Sequence, residues 1–327
     1  MNDSTKTGGS QATPAGQGAG RTPARLRVMS FAGAGNLPLL AAETQGFFAA
    51  EGLAVEIAWT PDSPGLRRAL AAGEIDVAHA AVDNAIAMVE TDGVDVVVVA
   101  GLDDGMNELV VQPDVSDIAD LMGRTVIVDA PNTAFALQLR KILALTGLTA
   151  GVHYHLRSVG ATDRRVAAMI EDKSFAATLL SPSYADIAAR GGLKRLGPVS
   201  RWIGPYQGIG VFALRRFAAA ERPKLVAYLR GLLAGLAWTF DPANRDTAIA
   251  LLVARVKMDP AAAAAGYDQA VHPVTGLFRD ARVNAEGMAT VLALRAELEG
   301  GWNGVPPPAS RYVDDSFLVA ARAGLRL

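Results

Sequence analysis

The chain of 327 residues contains no cysteine. This absence excludes disulfides, thiolate nucleophiles and metal sites built from cysteine. An excess of charge of one sign is also missing, because 31 Lys and Arg residues and 33 Asp and Glu residues give a formal net charge of -2. A chain without a basic excess or a long basic run is not expected to have nucleic acid as its main partner.

Long apolar runs are absent as well, since no stretch reaches the ~18 residues that a membrane-spanning helix requires. The first 25 residues are polar and rich in Gly, Ala and Thr, without the apolar segment of a secretory signal peptide. We predict a disordered leader over residues 1–25 and a cytoplasmic location for the sequence as written. A periplasmic location is the alternative, if the native start lies upstream or the leader was replaced.

Half of the residues are hydrophobic, which is enough for a large core and for two lobes. An apolar run at residues 26–31 leads into a Gly-rich loop, a helix pattern at 37–50 and a second apolar run at 55–59. This spacing predicts a strand-loop-helix-strand unit. Its loop lies at a helix N-terminus, where unpaired N–H groups and the helix dipole favour an anionic or polar ligand.

Apolar runs and helix patterns continue to alternate along the chain, which indicates a doubly wound parallel sheet. The run at 94–102 is uninterrupted, as is typical of a parallel strand covered on both faces. Residues 203–214 are punctuated by glycine and are predicted to cross back to the first lobe, and the chain is mostly helical from residue 223. Further strands are predicted at residues 76–81, 109–111, 124–129, 152–159 and 175–180.

Four segments carry a resemblance to a known family: PLLAAETQGFFAAEGLAVEI, LRRALAAGEIDVAHAAVDNAIAM, LMGRTVIVDAPNTAFALQLRKIL and YVDDSFL. With them, the chain resembles the type 2 periplasmic-binding-protein fold from about residue 26 to its C-terminus. It is most similar to the nitrate/sulfonate/taurine-type substrate-binding family of ABC transporters, which also contains the yeast-type thiamine-pyrimidine-precursor synthases. Those synthases depend on a Cys-rich motif, so the lack of cysteine excludes their activity here.

The resemblance implies an α/β protein with two lobes, each a mixed, mainly parallel sheet flanked by helices, and a helical C-terminal segment. Lobe one would comprise residues 26–105 and 212–327, and lobe two residues 106–211. The ligand would bind between the lobes, which close around it. The family also implies a monomer. No cofactor is expected.

Ligand contacts in this fold come from loops at the carboxyl ends of strands. Carried onto this sequence, the resemblance implies contacts from Gly35, Asn36, Leu37, Ser63, His79, Ala80 and Asp83 in lobe one, and from Asn132, Thr133, Ser181, Tyr184 and Tyr206 in lobe two. None of these residues is an arginine, and Arg164 and Arg165 are predicted to lie on a solvated helix face. The pocket is therefore predicted to be neutral to mildly polar.

Several of these residues also have structural interpretations. Asn36, Ser63, Asp83, Asn84 and Thr133 are candidate helix N-caps, a role that can coexist with ligand binding.

The spacing of His153 and His155 would place both side chains on one face of a strand. No third ligand is evident, so a solvated strand face is favoured and no metal site is expected.

Two hypotheses on function remain open. The first is a solute-binding protein that captures a small organic molecule by lobe closure, with an ABC permease as its partner. The second is a cytoplasmic enzyme of the decarboxylase or biosynthetic type, or a ligand sensor, on the same fold. In the second, His79 would be the acid/base, with Asp83 or Asp129 as its partner. The chain contains no G-x-S-x-G, P-loop or H-E-x-x-H motif.

Overall fold

The computed structural model describes residues 22–105 and 107–324. Of the leader predicted for residues 1–25, residues 1–21 lie outside the described residues. The first strand begins at Ala24, within the predicted leader. The strands of the described residues, β1 to β10, are Ala24–Ser30, Leu53–Trp59, Val77–Ala81, Val96–Gly101, Glu108–Val111, Thr125–Val128, His155–Ser158, Phe175–Leu180, Lys194–Pro198 and Ile209–Leu214.

Helices surround both sheets and dominate the C-terminal third, as predicted. Across the same residues, α1 to α14 are Leu37–Thr44, Phe47–Ala50, Ser63–Ala71, Asp83–Glu90, Ala134–Ala144, Thr162–Glu171, Pro182–Arg190, Ser200–Ile203, Arg215–Ala220, Arg222–Phe240, Arg245–Leu251, Pro260–Ala270, Ala285–Glu299 and Ser316–Ala323. None of these helices has the length and apolar character needed to cross a membrane. The single helix predicted at 37–50 is divided into α1 and α2, because Gly46 adopts a left-handed conformation with φ of 76°.

The two sheets have the same topology, which confirms the predicted two-lobed α/β architecture. The first sheet has the order β2-β1-β3-β10-β4 and the second has the order β7-β6-β8-β5-β9. In each sheet the first three strands pair in parallel and the last two pair antiparallel to their neighbours. Here lobe one denotes the first sheet with its helices, and lobe two denotes the second. Lobe one thus takes in residues 209–211, which the sequence analysis assigned to lobe two.

The strand β4 corrects one sequence-based expectation. Its apolar run predicted parallel pairing, but β4 pairs antiparallel with β10. It is nevertheless buried on both faces, because alternate residues contribute to the two cores of lobe one. Its outer edge is covered by the segment before α14, where Val98 exchanges backbone hydrogen bonds with Tyr312 and Asp314. An uninterrupted apolar run therefore indicates that a strand is buried on both faces, but it does not indicate the direction of the strand.

The helices cover both faces of each sheet. In lobe one, α1, α10 and α14 pack on one face, and α3, α4 and α13 pack on the other. In lobe two, α5 packs on one face, and α6 and α7 pack on the other. The two lobes also contact each other directly, since α12 packs against α7 and α13 packs against α5.

Within the described residues, the lobes are connected by residues 102–105 and 107 after β4 and by residues 204–208 before β10. The Asp103 carboxylate joins them, because its Oδ1 accepts the backbone N–H groups of Gly105 (2.8 Å) and Ile209 (2.9 Å). A side chain at Gly208 would overlap this same carboxylate, so the close approach requires glycine. The crossing is thus a compact hydrogen-bonded unit at the base of the space between the lobes.

Candidate ligand-binding cleft

A cavity of about 140 Å³ lies between the two lobes, and residues of both lobes line its wall. The positive N-termini of α5 and α7, and the first turn of α6, belong to this wall. We call this cavity the inter-lobe cleft. Of the residues predicted to bind a ligand, those that line it are Gly35, Asn36, Ser63, His79, Ala80, Thr133, Ser181 and Tyr206.

The other four predicted residues, Leu37, Asp83, Asn132 and Tyr184, do not line the cleft. The side chain of Leu37 is buried in the core formed with α11 and α12. The hydroxyl of Tyr184 donates instead to the backbone carbonyl of Ala32 across the lobes (3.4 Å). A position in a loop after a strand therefore does not by itself direct a side chain into the cleft.

Asp83 forms a buried ion pair that the sequence analysis did not anticipate. Both of its oxygens accept hydrogen bonds from Arg295 of α13, at 2.6 and 2.9 Å, and both side chains are at most 5% exposed. Arg295 also donates to the backbone carbonyl of Asn132 in lobe two (2.8 Å). Asp83 is thus neither the N-cap of α4, a position held by Val82, nor part of the cleft wall.

Asn36 uses its amide group inside its own loop. Its Nδ2 donates to the backbone carbonyls of Phe31 (2.6 Å) and Gly33 (3.3 Å), and its Oδ1 accepts from the Ser30 hydroxyl (2.6 Å). Its side chain does not cap the following helix. Both amide hydrogens are occupied, so Asn36 shapes the loop that borders the cleft and has no hydrogen left for a ligand oxygen.

Ser63 is not an N-cap, and Thr133 occupies the N-cap position of α5 without capping the helix through its side chain. The cap of α3 is Asp62, whose Oδ1 accepts from the amide of Gly65 (2.6 Å), and not Ser63. Thr133 precedes α5, but its hydroxyl donates backwards to the carbonyl of Ala130 (2.9 Å) and does not cap that helix. In both cases the hydrogen-bonding partner was set by a loop conformation that the sequence pattern does not specify.

His79 lies in the middle of β3, not in the loop after it, and is 1% exposed. Its Nε2 forms a hydrogen bond of 2.6 Å with the hydroxyl of Tyr228. Burial lowers the pKa of His79 to about 3, so the imidazole is neutral at physiological pH. Among the described residues, neither Asp83 nor Asp129 forms a hydrogen bond with His79. The acid/base pair proposed for an enzyme does not form in this geometry.

Arg165 corrects the prediction of a neutral pocket without arginine. It was predicted on a solvated helix face, but it is 1% exposed and lines the cleft, whereas Arg164 is exposed. Its guanidinium donates to the carbonyl of Leu179 (3.0 Å) and to the hydroxyl of Thr162 (2.9 Å), and it lies over the ring of Phe135 at 4.9 Å. Burial lowers its pKa to about 10, so it remains charged at neutral pH.

Asp129, at the end of β6, connects the two lobes. Its Oδ2 accepts the backbone N–H of Ser63 at the start of α3 (3.2 Å). Burial raises the pKa of this carboxyl group, and the Ser63 side chain, the charge of Arg165 and the Ser63 backbone N–H oppose that rise. The amide of Ala161 also donates to the carbonyl of Pro61 (3.1 Å), so the lobes are bonded to each other at this side of the cleft.

The remaining histidine pair provides no metal site. Nδ1 of His153 accepts the backbone N–H of Thr149 (3.0 Å). Over residues 22–105 and 107–324, no group of three or more His, Asp or Glu side chains is arranged to hold a metal ion.

Known proteins with the same two-lobed architecture identify the family of this chain. The family match covers residues 35–244, which is more than half of the chain. The chain belongs to the NMT1/THI5-like family. No curated protein sequence matches it. The family match and the solved structures confirm the predicted type 2 periplasmic-binding-protein fold.

Among solved structures, this NMT1/THI5-like protein is similar to a protein of Bordetella bronchiseptica RB50, with 20% identity, a TM-score of 0.78 and coverage of 92% of this chain and 97% of the other. The periplasmic nitrate-binding protein NrtA from Synechocystis PCC 6803 has 14% identity, a TM-score of 0.76 and coverage of 92% and 89%. The alkanesulfonate-binding protein SsuA from Xanthomonas axonopodis pv. citri, bound to MOPS, has 18% identity, a TM-score of 0.72 and coverage of 90% and 99%.

Proposed function

We propose that this protein is a solute-binding protein that captures a small organic molecule in the inter-lobe cleft for an ABC importer. The observation that carries the proposal is the cleft itself, a cavity between two lobes with buried polar side chains from both in its wall. A ligand in such a position contacts both lobes only when they are closed. It therefore stabilises the closed state by its higher affinity for that state.

The comparisons support this proposal. The similar structures include a periplasmic nitrate-binding protein, an alkanesulfonate-binding protein and the ligand-binding component of an ABC-type import system. By this likeness, we further propose a periplasmic location, an ABC permease as the partner and a monomeric state. Closure would move lobe two, the second sheet with its helices, against lobe one.

The geometry does not favour the enzyme hypothesis. A general base needs a pKa near the operating pH, but burial lowers the pKa of His79 to about 3. Its Nε2 is occupied by Tyr228, and Asp83 is held by Arg295.

Ligand-dependent closure and stabilisation test the proposal. The purified protein is screened by thermal unfolding against amino acids, carboxylates, sulfonates, amines and pyrimidines, and hits are examined by small-angle X-ray scattering. A ligand at a hundred times its dissociation constant adds about 2.7 kcal/mol to the unfolding free energy. We expect a smaller radius of gyration and recovery of the ligand unchanged.

A variant that fills the cleft provides the control. Ala32→Trp places a large ring at the cleft wall and should abolish the stabilisation. Val274→Trp adds the same ring at a position that is 80% exposed and should leave it intact. Consumption of the ligand would contradict a binding protein, and a ligand that still binds Ala32→Trp would contradict the location.

A further inference from the structure

Buried polar atoms without a partner are concentrated at the cleft. Buried polar groups in proteins are almost always hydrogen-bonded, so each exception requires an explanation. Apart from Arg67, every described residue with such an atom lines the cleft. The atoms at the cleft are His79 Nδ1, Asp129 Oδ1, Gln138 Nε2 and Arg165 Nε.

The Gln138 amide already interacts with the Tyr206 hydroxyl, whose pKa it lowers against the rise caused by burial. The Ser63 side chain interacts in the same way with the Asp129 carboxylate, but an ionised carboxylate still has lone pairs to accept a further hydrogen bond. The side chains of His79, Asp129 and Arg165 are at most 8% exposed.

His79 offers a hydrogen to the cleft, because Tyr228 determines which ring nitrogen is protonated. Within the described residues, the Tyr228 hydroxyl has one acceptor, Nε2 of His79 at 2.6 Å. A buried hydroxyl that did not donate would leave its own hydrogen unpaired. Tyr228 therefore donates to Nε2, and the neutral ring carries its hydrogen on Nδ1. The unpartnered atom of His79 is thus an N–H donor.

Arg165 and Asp129 place opposite charges on the same cleft wall. They are close enough for each to influence the pKa of the other, but they do not form an ion pair. Nη1 of Arg165 donates to Leu179 and Nη2 donates to Thr162, so the unpartnered group of the guanidinium is the Nε–H. This N–H is a charge-assisted donor for one oxygen of a carboxylate.

The formal charges of the wall exclude a bare anion as the best fit. The charged side chains that line the cleft are Asp103, Asp129 and Arg165, so negative groups exceed positive groups by one. An anion on Arg165 would lie near an unpaired carboxylate, which costs several kcal/mol if left uncompensated. A ligand that also carries an ammonium group removes this cost.

We propose that the ligand is a small amino-carboxylate zwitterion, whose carboxylate accepts hydrogen bonds from Arg165 and His79 and whose ammonium group donates to Asp129. This inference rests on the proposed function and specifies the ligand class of the same cleft. It differs from nitrate or alkanesulfonate binding, which requires no acceptor on the protein for an ammonium group.

Matched sets of small molecules test the inference on the wild-type protein. Calorimetry compares glycine, β-alanine, γ-aminobutyrate, δ-aminovalerate and larger α-amino acids with the carboxylate, amine and aminosulfonate of the same length. We expect at least one amino-carboxylate to bind roughly tenfold or more tightly than each of its matched molecules, because each lacks a charge-assisted contact or its geometry.

Variants of Asp129 and Arg165 then test which side chain binds the ammonium group and which binds the carboxylate. Asp129→Asn retains an oxygen for the Ser63 amide. It should weaken the zwitterion roughly tenfold and strengthen the matched carboxylate, a reversal that general damage to the cleft does not produce. Arg165→Gln should weaken both. Glu171→Gln, an exposed change on the same helix as Arg165, should alter neither.

The binding results distinguish an error in the proposed ligand class from an error in the proposed function. If a carboxylate, amine or aminosulfonate binds wild type as tightly as its matched amino-carboxylate, the inference is wrong. If closure is induced by a molecule outside the amino-carboxylate series and by none within it, the ligand class is wrong while the binding function remains. If no small molecule binds or closes the lobes, the proposed function itself fails.

Discussion

The Asp103 carboxylate at the lobe crossing should make the stability of the protein depend on pH. Asp103 is 2% exposed. Burial raises its pKa from 3.8 to about 6, although the backbone hydrogen bonds from Ile209 and Gly105 oppose the rise. The folded protein then holds this proton more tightly than the unfolded chain, so the unfolding free energy falls as the pH rises from about 4 to about 6. The difference in pKa corresponds to about 3 kcal/mol.

Asp103→Asn isolates this contribution. The amide oxygen can still accept from Gly105 and Ile209, but the side chain no longer titrates. Urea denaturation between pH 3.5 and 7.5 should show wild type losing about 3 kcal/mol relative to the variant as the pH rises. Asp246→Asn, at a fully exposed side chain, provides the control and should show no such trend. A stability difference that is independent of pH would refute the dominance of burial at Asp103, and a difference of opposite sign would show that the hydrogen bonds dominate.

Two further substitutions address buried pairs. Arg295→Met leaves the Asp83 carboxylate buried without a counter-charge and should lower the free energy of unfolding, measured by urea denaturation, by about 3–5 kcal/mol. Adding Asp83→Asn should restore part of this loss. A loss below about 1 kcal/mol would contradict a buried ion pair. Tyr228→Phe keeps the ring stacked on Phe48 at 5.1 Å but removes the donor to His79, at a cost of about 1 kcal/mol. NMR of the His79 ring nitrogens should show the hydrogen on Nδ1 in wild type and a changed tautomer equilibrium in the variant, and identical spectra would contradict the assignment.

The core elements were predictable because their physical cause is local. Apolar runs bounded by glycine gave the inner strands, and helical spacing gave the long C-terminal helices. Several elements were not predicted, among them β9 and α7. β9 has no apolar run, because its side chains are mostly exposed at the sheet edge. In α7, Pro182 occupies the first position of the helix, where its missing N–H has no cost.

The position of the cleft was predictable, whereas the allocation of its hydrogen bonds was not. Strand ends identify the loops that border the cavity, since the carboxyl ends of the strands face it. The pairing of Asp83 with Arg295 joins residues 212 positions apart, and no local pattern encodes it. One signal was available for this pair, because Arg295 shares the apolar face of α13 with Val291 and Leu292.

Arg165 shows why the charge of the cleft was misjudged. The predicted ligand contacts were confined to loops, but this arginine lies within α6, one turn before Met169 on the same buried face. Burying a charged residue at an apolar helix position costs free energy unless the charge has hydrogen-bonding partners, and three protein oxygens supply only part of them here. Its position at the first turn also directs the guanidinium towards the helix N-terminus and therefore towards the cleft.

The polar residues of the cleft have two distinct roles, which depend on whether hydrogen bonds within the protein satisfy all of their polar atoms. Asn36 and Thr133, which the loops themselves satisfy, fix the shape of the wall and have little capacity left for recognition. His79, Asp129 and Arg165 each have an unpartnered buried atom, so a ligand that satisfies them gains affinity without breaking an existing bond. The ligand preference of this protein should therefore respond to changes at these three side chains, and changes at Asn36 should act mainly through the stability and shape of the loop.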